Sequence, residues 1–269
     1  MRKQKAIFNW SGGKDSALCL HKTLTGGSTV SCLLTSVNSR YQRVSMHGVR
    51  VELLEQQALN IGIPLVKMLM PEMPDMTTYE TIMRETLVRL KTEGMHTCIF
   101  GDIFLEDLRA YRENKLAEVS LSALFPLWKQ PTDLLVREFI ELGFKAVVVC
   151  VNEKFLDKSF AGRLIDDAFL KDLPGNVDLC GENGEFHSFV YDGPIFKKPI
   201  GFDFGEIVYR KYSPKKPDGG SRYDCNTVST DPFDSGFWYC DLVPAERVEE
   251  PSRSNVRTDN HPHQKLEVL

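Results

Sequence analysis

The sequence Ser11-Gly12-Gly13-Lys14-Asp15-Ser16 lies between a strand-like run at 5–10 and a helical segment at 16–24, which predicts a strand–loop–helix unit. Two adjacent glycines let the backbone turn tightly and bring its amide groups close to an anion. The helix that follows points its positive N-terminal end at the same place. We call residues 11–16 the phosphate loop and predict that they bind phosphate groups.

Side chains of the phosphate loop strengthen this prediction. The hydroxyls of Ser11 and Ser16 add hydrogen-bond donors, Lys14 neutralises phosphate charge, and Asp15 helps to place magnesium. The ordinary P-loop would need glycine where Phe8 stands and serine or threonine where Asp15 stands, and the G-x-G-x-x-G spacing of a dinucleotide fold is absent. A strand-to-helix turn capped by Ser11 remains the structural alternative.

Outward from the phosphate loop, short β-branched runs alternate with segments of helical period, as in parallel βαβ units. The helix predicted over 49–61 groups several side chains on one face, and Gly62 is expected to end it. These side chains are Val49, Leu53, Leu54, Gln57 and Ala58. The helix predicted over 77–93 has Thr77 or Thr78 as its expected cap and Gly94 as its expected stop. Strands are predicted over 29–37, 63–69 and 97–100.

The second half of the chain continues with helices predicted over 105–121 and 132–142 and a strand over 145–151. Glycine-punctuated strand-like stretches follow at 185–191, 207–212 and 237–243. We therefore predict an α/β protein whose parallel, Rossmann-like sheet carries a smaller α+β domain. The predicted units are 1–125 for nucleotide binding, 126–212 for substrate binding, and an extension at 213–269 with a loop, a late strand and a disordered tail.

Composition excludes several classes of protein. Of the 269 residues 42% are hydrophobic and 26% charged, and the net charge of −4 does not indicate a nucleic-acid or membrane surface. The apolar run behind the basic N-terminal residues is too short for a signal peptide, and no stretch reaches the length of a membrane span, so we expect a cytoplasmic protein. The sequence leaves open whether the chain forms a homo-oligomer.

Cysteine and histidine placement argues against a protein-built metal or redox centre. The seven cysteines include no C-x-x-C pair, so we predict reduced thiols, most of them in the core. His261 and His263 lie in the polar C-terminal segment, where specific metal binding is not expected.

Two further motifs carry chemistry. Gly101 and Asp102 follow the predicted strand 97–100, at the sheet edge where open α/β folds bind ligands, so Asp102 is placed for magnesium or substrate unless it caps the next helix. The stretch 180–194 places Glu182, Glu185 and His187 among glycines. These three side chains can bind an amine, orient ammonia or move a proton, while a glycine hairpin with exposed charges is the alternative.

The phosphate loop resembles that of the N-type ATP pyrophosphatases, which cleave ATP between its α and β phosphates. Together with Gly101-Asp102, Leu127-Trp128 and the stretch 181–187, it resembles the diphthine-ammonia ligase family over residues 5–195. The resemblance implies an adenine-nucleotide α-hydrolase-like domain, ATP and Mg²⁺ as cofactors, and a reaction in which a carboxylate is activated as its acyl adenylate and amidated by ammonia. His47 is similar to a further family position near the nucleotide.

What the resemblance implies about the site is specific. The residues implied to bind the nucleotide are Ser11, Gly12, Gly13, Lys14, Asp15, Ser16, His47 and Gly101. The metal would lie at Asp15 and Asp102, and the residues implied in catalysis are Lys14, Asp102, Glu182, Glu185 and His187. The partners implied are ammonia and a small-molecule or protein-borne carboxylate, without nucleic acid or membrane.

One departure bears on the substrate. Archaeal and eukaryotic members usually show a second glycine and a tyrosine where this chain has Asn183 and Phe186, and the form seen here resembles the bacterial branch. Bacteria lack diphthamide, so an amidated corrinoid side chain in cobalamin salvage is an alternative substrate. Two other functions remain as alternatives, a tRNA-modifying enzyme and a non-catalytic ATP-binding module. The acidic net charge and the absence of a C-x-x-C pair argue against the first. The cluster from Glu182 to His187 argues against the second, because a module that only binds ATP does not need these side chains.

Overall fold

A computed structural model describes residues 5–45, 47–212 and 235–245. The predicted loop within 213–221 and the predicted disordered tail, with His261 and His263, lie outside these residues. Six α-helices are present in the described part of the chain: α1 (Lys14–Thr25), α2 (Val51–Ile61), α3 (Met76–Thr92), α4 (Glu106–Glu118), α5 (Thr132–Glu141) and α6 (Asp167–Asp172). None of the described helices has the length and apolarity needed to cross a membrane.

The first sheet is mostly parallel and holds six strands: β1 (Lys5–Asn9), β2 (Thr29–Asn38), β3 (Arg43–Val44), β4 (Leu65–Met70), β5 (Met95–Ile99) and β6 (Ser122–Leu124). β1 lies between β2 and β5, β4 pairs with β2, and β6 pairs with β5, all in parallel. Only the two-residue β3 runs antiparallel, against the end of β2. The connections reverse direction at β1 and β5, which is the switch point where open α/β sheets bind ligands. The structure thus confirms the predicted α/β fold with a parallel, Rossmann-like sheet.

Alternating side chains of the strands build a core on each face of this sheet. Phe8 of β1 packs with Leu18 of α1 and Leu54 of α2, whereas Ile7 packs on the other face with Leu87 of α3 and neighbours from α4. Both faces are therefore covered by helices, as a buried parallel sheet requires.

The second sheet is antiparallel, in the order β8 (Phe186–Asp192), β7 (Lys145–Asn152), β10 (Ser235–Pro244), β9 (Phe202–Tyr212). The strand predicted in the extension is thus an inner strand between β7 and β9. Side chains of this sheet, such as Val147 and Phe189, belong to the same hydrophobic core as Phe8 and Leu54 of the first sheet.

Several local expectations are corrected. Helix α3 is capped by Asp75, whose carboxylate accepts a 2.7 Å hydrogen bond from the Thr78 amide, and not by Thr77 or Thr78. β9 begins at 202, five residues before the predicted strand start at 207, and it includes Gly205. A Cβ at Gly205 would lie 3.2 Å from the Cβ of Asp241 on β10, so the glycine allows the two strands to pair closely there. Gly62 and Gly94 do adopt positive φ at the helix ends, as predicted.

The predicted cysteine chemistry agrees with the described part of the chain. Six of the seven cysteines are described, and all six are buried and unpaired: Cys19, Cys32, Cys98, Cys150, Cys180 and Cys240. Burial raises the pKa of the Cys19 thiol to about 12, so it stays protonated and inert.

A buried amide joins the two sheets. Gln57 of α2 is fully buried and accepts a 2.9 Å hydrogen bond from Trp10 Nε1 through its Oε1. Its Nε2 donates to the carbonyls of Gly12 at 3.1 Å and Val190 of β8 at 2.6 Å. The Val190 amide in turn donates to the Gly12 carbonyl at 2.9 Å. One side chain thereby fixes the phosphate loop against β8.

We expect Gln57→Leu to lower the free energy of unfolding by about 2–4 kcal/mol, because it removes three hydrogen bonds and leaves the Trp10 N–H without a buried partner. Urea denaturation of the full chain measures this. Gln56→Leu on the same helix is the control and should change stability by less than about 0.5 kcal/mol. Equal effects of the two variants would show that the Gln57 network carries no special share of the stability.

Candidate active site

The phosphate loop follows β1 and leads directly into α1. Gly12 has φ +80°, and a Cβ there would lie 2.8 Å from Gln57 Oε1, so only glycine fits. Gly13 precedes the helix as its N-cap without any side-chain cap, which leaves the first amides of α1 to backbone, neighbouring side chains and ligands. The Lys14 amide donates to Ser188 Oγ of β8 at 3.1 Å.

The two serine hydroxyls of the phosphate loop are hydrogen-bonded to each other and to the backbone of the loop. Ser11 Oγ lies 3.1 Å from Ser16 Oγ and accepts a hydrogen bond from the Gly13 amide at 3.3 Å. Ser16 Oγ also donates to the Gly13 carbonyl at 2.8 Å. The loop is therefore ordered by its own contacts before any anion arrives.

A cavity of about 510 Å³ opens above the phosphate loop at the carboxyl edge of the first sheet. Its lining includes the sequence-predicted residues Ser11, Gly13, Lys14, Asp15, Ser16, His47, Gly101, Asp102, Glu182 and His187. The structure thus brings together residues from four separate parts of the chain, at 11–16, 47, 101–102 and 182–187. Gly12 and Glu185 are the two predicted site residues that do not line the cavity.

Lys14 is buried and its charge is already paired. Its Nζ lies 2.7 Å from Asp15 Oδ2 and also donates to the Cys180 carbonyl. Burial alone would lower the pKa of Lys14, but the carboxylates of Asp15 and Glu182 outweigh it and raise that pKa, so the ammonium persists at neutral pH. Lys14 supplies the cavity with a fixed positive charge next to the amides of α1.

Gly101 and Asp102 lie at the end of β5, beside the phosphate loop. A Cβ at Gly101 would meet the carbonyl carbon and oxygen of Asp15 at 3.2 Å, so the missing side chain allows this close approach. The Asp102 carboxylate forms an ion pair with Arg112 of α4, 2.7 Å from Nε to Oδ2. Burial raises the pKa of Asp102, while Arg112 opposes that shift.

Glu182 reaches across to this strand end. Its Oε1 accepts a 2.7 Å hydrogen bond from the Ile103 amide, so the second domain holds the backbone just after Asp102. Burial raises the pKa of Glu182 to about 7; the Ile103 hydrogen bond opposes the shift, and the charges of Asp15 and Asp102 add to it. A carboxylate with such a pKa exchanges protons at neutral pH, as a general base requires.

His47 and His187 stack against each other with ring centroids 4.5 Å apart. Burial lowers the pKa of His47 to about 4 and that of His187 well below its usual value, so both rings are neutral at neutral pH. The Cε1 of His47 lies 3.2 Å from the position a Cβ on Gly13 would take. The two uncharged imidazole rings thus line the cavity beside the phosphate loop.

Glu185 lies outside the cavity, whereas the other four residues predicted to be catalytic line it. It is almost fully buried, with only 1% of its surface exposed, and lies just before β8 rather than within it. Its carboxylate accepts hydrogen bonds from the amides of Asp178 at 3.0 Å and Asn183 at 2.9 Å. These contacts shape the loop that presents Glu182, and they keep the Glu185 carboxylate on backbone amides outside the cavity.

Sequence reasoning missed several residues that shape the site. Gln57 and Ser188 brace the phosphate loop, Asp178 accepts from the amides of Cys180 and Glu182, and Arg112 pairs with Asp102. Gln57 alone gave a signal in the sequence, as an amide on an otherwise apolar helix face. The other three have ordinary local sequences and are recognisable only from the tertiary contacts.

The residues available to a metal ion are Asp15 and Asp102. Both carboxylates line the cavity beside the phosphate loop, and carboxylate oxygens are the ligands that Mg²⁺ prefers. No group of three or more potential metal-binding side chains occurs in the part of the chain that the structure describes. The donor set therefore fits Mg²⁺ that arrives with phosphate and water as its remaining ligands.

Two family models match the chain in succession. The model described as the diphthamide synthase N-terminal domain matches residues 4–122, and the diphthamide synthase C-terminal domain matches residues 131–213. A solved structure titled as a predicted subunit of a tRNA methyltransferase from Methanocaldococcus jannaschii is 16% identical with a TM-score of 0.40, covering 54% of this chain and 80% of that one. That similarity is too low to assign a fold or a function.

Curated relatives with the name diphthine–ammonia ligase align with large parts of the chain. The protein from Danio rerio is 31% identical over 51% of this chain and 56% of its own length, and that from Mus musculus is 34% identical over 40% and 42%. The chain thus spans about half the length of these two relatives. The protein from Bos taurus is 25% identical over 74% of this chain and 82% of its own length. With both diphthamide synthase domains matched in order, the chain belongs to the diphthine–ammonia ligase family.

Proposed function

We propose that this chain is an ATP-dependent ligase that amidates a carboxylate with ammonia and releases AMP and pyrophosphate. One observation carries the proposal: a single cavity joins the phosphate loop, the Asp102 strand end, and Glu182 with a pKa near neutrality. Relatives of the family with the name diphthine–ammonia ligase support the same reaction class.

The nucleotide binds with its β and γ phosphates on the phosphate loop. The amides at the start of α1 and the Lys14 ammonium stabilise their charge, and the helix dipole adds to that field. The adenosine lies toward Leu34, Thr35 and Met68, which line the same cavity from the C-terminal halves of β2 and β4. This orientation leaves the α phosphorus facing the centre of the cavity.

Mg²⁺ would be held by Asp15 and Asp102 and would supply charge neutralisation at the phosphates. The Asp102 carboxylate would then share its charge between the ion and Arg112. Glu182 keeps the backbone at Ile103 in place meanwhile, because its Oε1 accepts the Ile103 N–H. The carboxylates of the site are thus fixed by protein contacts rather than by the ion.

The substrate acid enters on the side of α3 and α4. There the cavity is lined by Arg112 of α4 and by apolar side chains, including Met83, Leu87, Leu108 and Leu116. A carboxylate next to Arg112 attacks the α phosphorus, the bond to the bridging oxygen breaks, and pyrophosphate leaves on the phosphate loop. Ammonia then attacks the acyl carbon, AMP leaves, and the proton released from nitrogen goes to Glu182.

The product test uses Mg-ATP, ammonium and a panel of acids that includes diphthine-bearing elongation factor and corrinoid acids. We expect AMP and pyrophosphate in equal amounts, formed only when a suitable acid is present, by chromatography. The same panel identifies the substrate and decides between diphthine and a corrinoid side chain. Formation of ADP, or no turnover with any acid despite tight ATP binding, would contradict the proposal.

We expect Lys14→Met to lower kcat at least about a hundredfold, because it removes the buried positive charge beside the leaving pyrophosphate while it keeps the side-chain volume. AMP release under saturating ATP measures the effect, and thermal unfolding verifies that the variant is folded. Lys22→Met, on the same helix and paired with Glu138 at the surface, should retain normal turnover. Wild-type turnover by a folded Lys14→Met protein would remove the lysine from the mechanism.

The pH profile tests Glu182. Because its pKa is raised to about 7, the carboxylate form that accepts the proton from ammonia increases as pH rises through 7. We expect kcat/KM at a fixed concentration of free ammonia to rise across this range, and Glu182→Gln to remove the rise and lower the plateau about a hundredfold. Glu106→Gln, at an exposed position of α4, should leave the profile unchanged. An unaltered rise in Glu182→Gln would assign it to another group.

A further inference from the structure

Strand β10 lies outside the residues that the two family models match, since the second model ends at residue 213. In the fold, however, β10 is an inner strand that pairs with β7 through residues 237–239 and with β9 along most of its length. Its position raises the question of what this late segment contributes to the site.

Asp241 of β10 connects the strand to the first domain. Its Oδ1 accepts a 2.7 Å hydrogen bond from Arg43 Nη1, and its Oδ2 accepts a 2.7 Å hydrogen bond from Arg50 Nη2. Burial alone would raise the pKa of Asp241, but the hydrogen bonds from Arg50 and Arg43 lower it to about 2. The carboxylate is therefore ionised at every physiological pH and bridges two arginines that are seven residues apart.

The segment between these arginines is a short closed loop. Val44 and Val49 are joined by a 2.8 Å backbone hydrogen bond, and Arg43 Nη1 also donates to the Gly48 carbonyl at 2.7 Å. Gly48 has φ +70°, and a Cβ there would lie 2.8 Å from the Tyr239 ring of β10. Both ends of the loop and its glycine thus rest on β10.

His47 lies within this loop and faces the phosphate loop. It stacks on His187, its Cε1 approaches Gly13 closely, and its Nδ1 is a buried nitrogen without a hydrogen-bond partner in the described structure. A buried nitrogen without a hydrogen-bond partner beside the phosphate loop is available to form a hydrogen bond with a bound ligand. The loop that carries this nitrogen is the one whose ends and glycine contact β10.

We propose that Asp241 is a positioning residue that holds His47 against the phosphate loop through Arg43 and Arg50, so that β10 is a working part of the nucleotide site. The proposal rests on the proposed function only in naming ATP as the ligand. The dependence of the His47 position on Asp241 is inferred from the contacts of Arg43, Arg50 and Gly48 with β10, whatever the ligand is.

The sharpest test is a double-mutant cycle on nucleotide affinity in the full chain. A non-hydrolysable ATP analogue with Mg²⁺ is titrated calorimetrically into wild type, Asp241→Asn, His47→Ala and the double variant. If Asp241 acts through His47, each single variant weakens binding about tenfold and the double variant is no weaker than His47→Ala. Additive losses, about a hundredfold in the double variant, would overturn the proposal.

Two variants separate positioning from general stability. Asp203→Asn removes the same charge from an exposed position on neighbouring β9 and should leave the affinity unchanged. Asp241→Glu keeps the carboxylate for the two arginines and should recover most of the affinity lost in Asp241→Asn. An equal loss in Asp203→Asn, or a failure of Asp241→Glu to recover affinity while it stays folded, would contradict a positioning role.

Imidazole NMR tests the dependence of the His47 position on Asp241 without any nucleotide. In a ring-labelled chain, with signals assigned by His47→Ala, Asp241→Asn should shift the His47 resonances while Asp203→Asn leaves them in place. If wild type fails to bind the ATP analogue, the proposed function fails, and this measurement still decides the role of Asp241. Unshifted His47 signals in a folded Asp241→Asn protein would overturn the proposal.

Discussion

The buried amide of Gln57 is the constraint on which the site depends. A fully buried side-chain amide must find partners for both of its ends, and Gln57 finds them in Trp10, Gly12 and Val190. Because Gly12 is in the phosphate loop and Val190 is in the second sheet, satisfying one side chain fixes the two domains relative to each other. The hydrogen bond from the Lys14 amide to Ser188 makes a second connection two residues further along the phosphate loop. The cavity is therefore built jointly by both sheets.

The electrostatics of the cavity follow from this arrangement. Three carboxylates, Asp15, Asp102 and Glu182, lie in one partly buried space with the cations of Lys14 and Arg112. Like charges and burial raise the pKa of Glu182 to about 7, whereas Lys14 keeps its proton. In the proposed reaction this arrangement puts fixed positive charge beside the leaving pyrophosphate and a proton acceptor beside ammonia. That division of roles suits a two-step amidation better than nucleotide storage.

Local sequence was sufficient for the parallel sheet, because its strands and helices repeat clear periods and the phosphate loop stands at a strand end. It also brought out Lys14, Asp102, Glu182 and His187, which share one cavity. It did not show that Glu185 accepts hydrogen bonds from the amides of Asp178 and Asn183, because a carboxylate in a glycine-rich motif has the same local sequence whether it faces a ligand or buried amides. Arg112 and Asp241 were beyond sequence reasoning, since their roles arise from partners 10 and 191 or more residues away.

In the proposed reaction, the phosphate loop presents the α phosphorus of ATP to a carboxylate. The most direct measurement labels both carboxylate oxygens of the accepted acid with ¹⁸O and analyses the products by mass spectrometry after one turnover with ammonia. Attack by the acid on the α phosphorus transfers one labelled oxygen to AMP, so we expect one ¹⁸O in AMP and none in pyrophosphate. Unlabelled AMP, or label in a phosphate released with ADP, would contradict it.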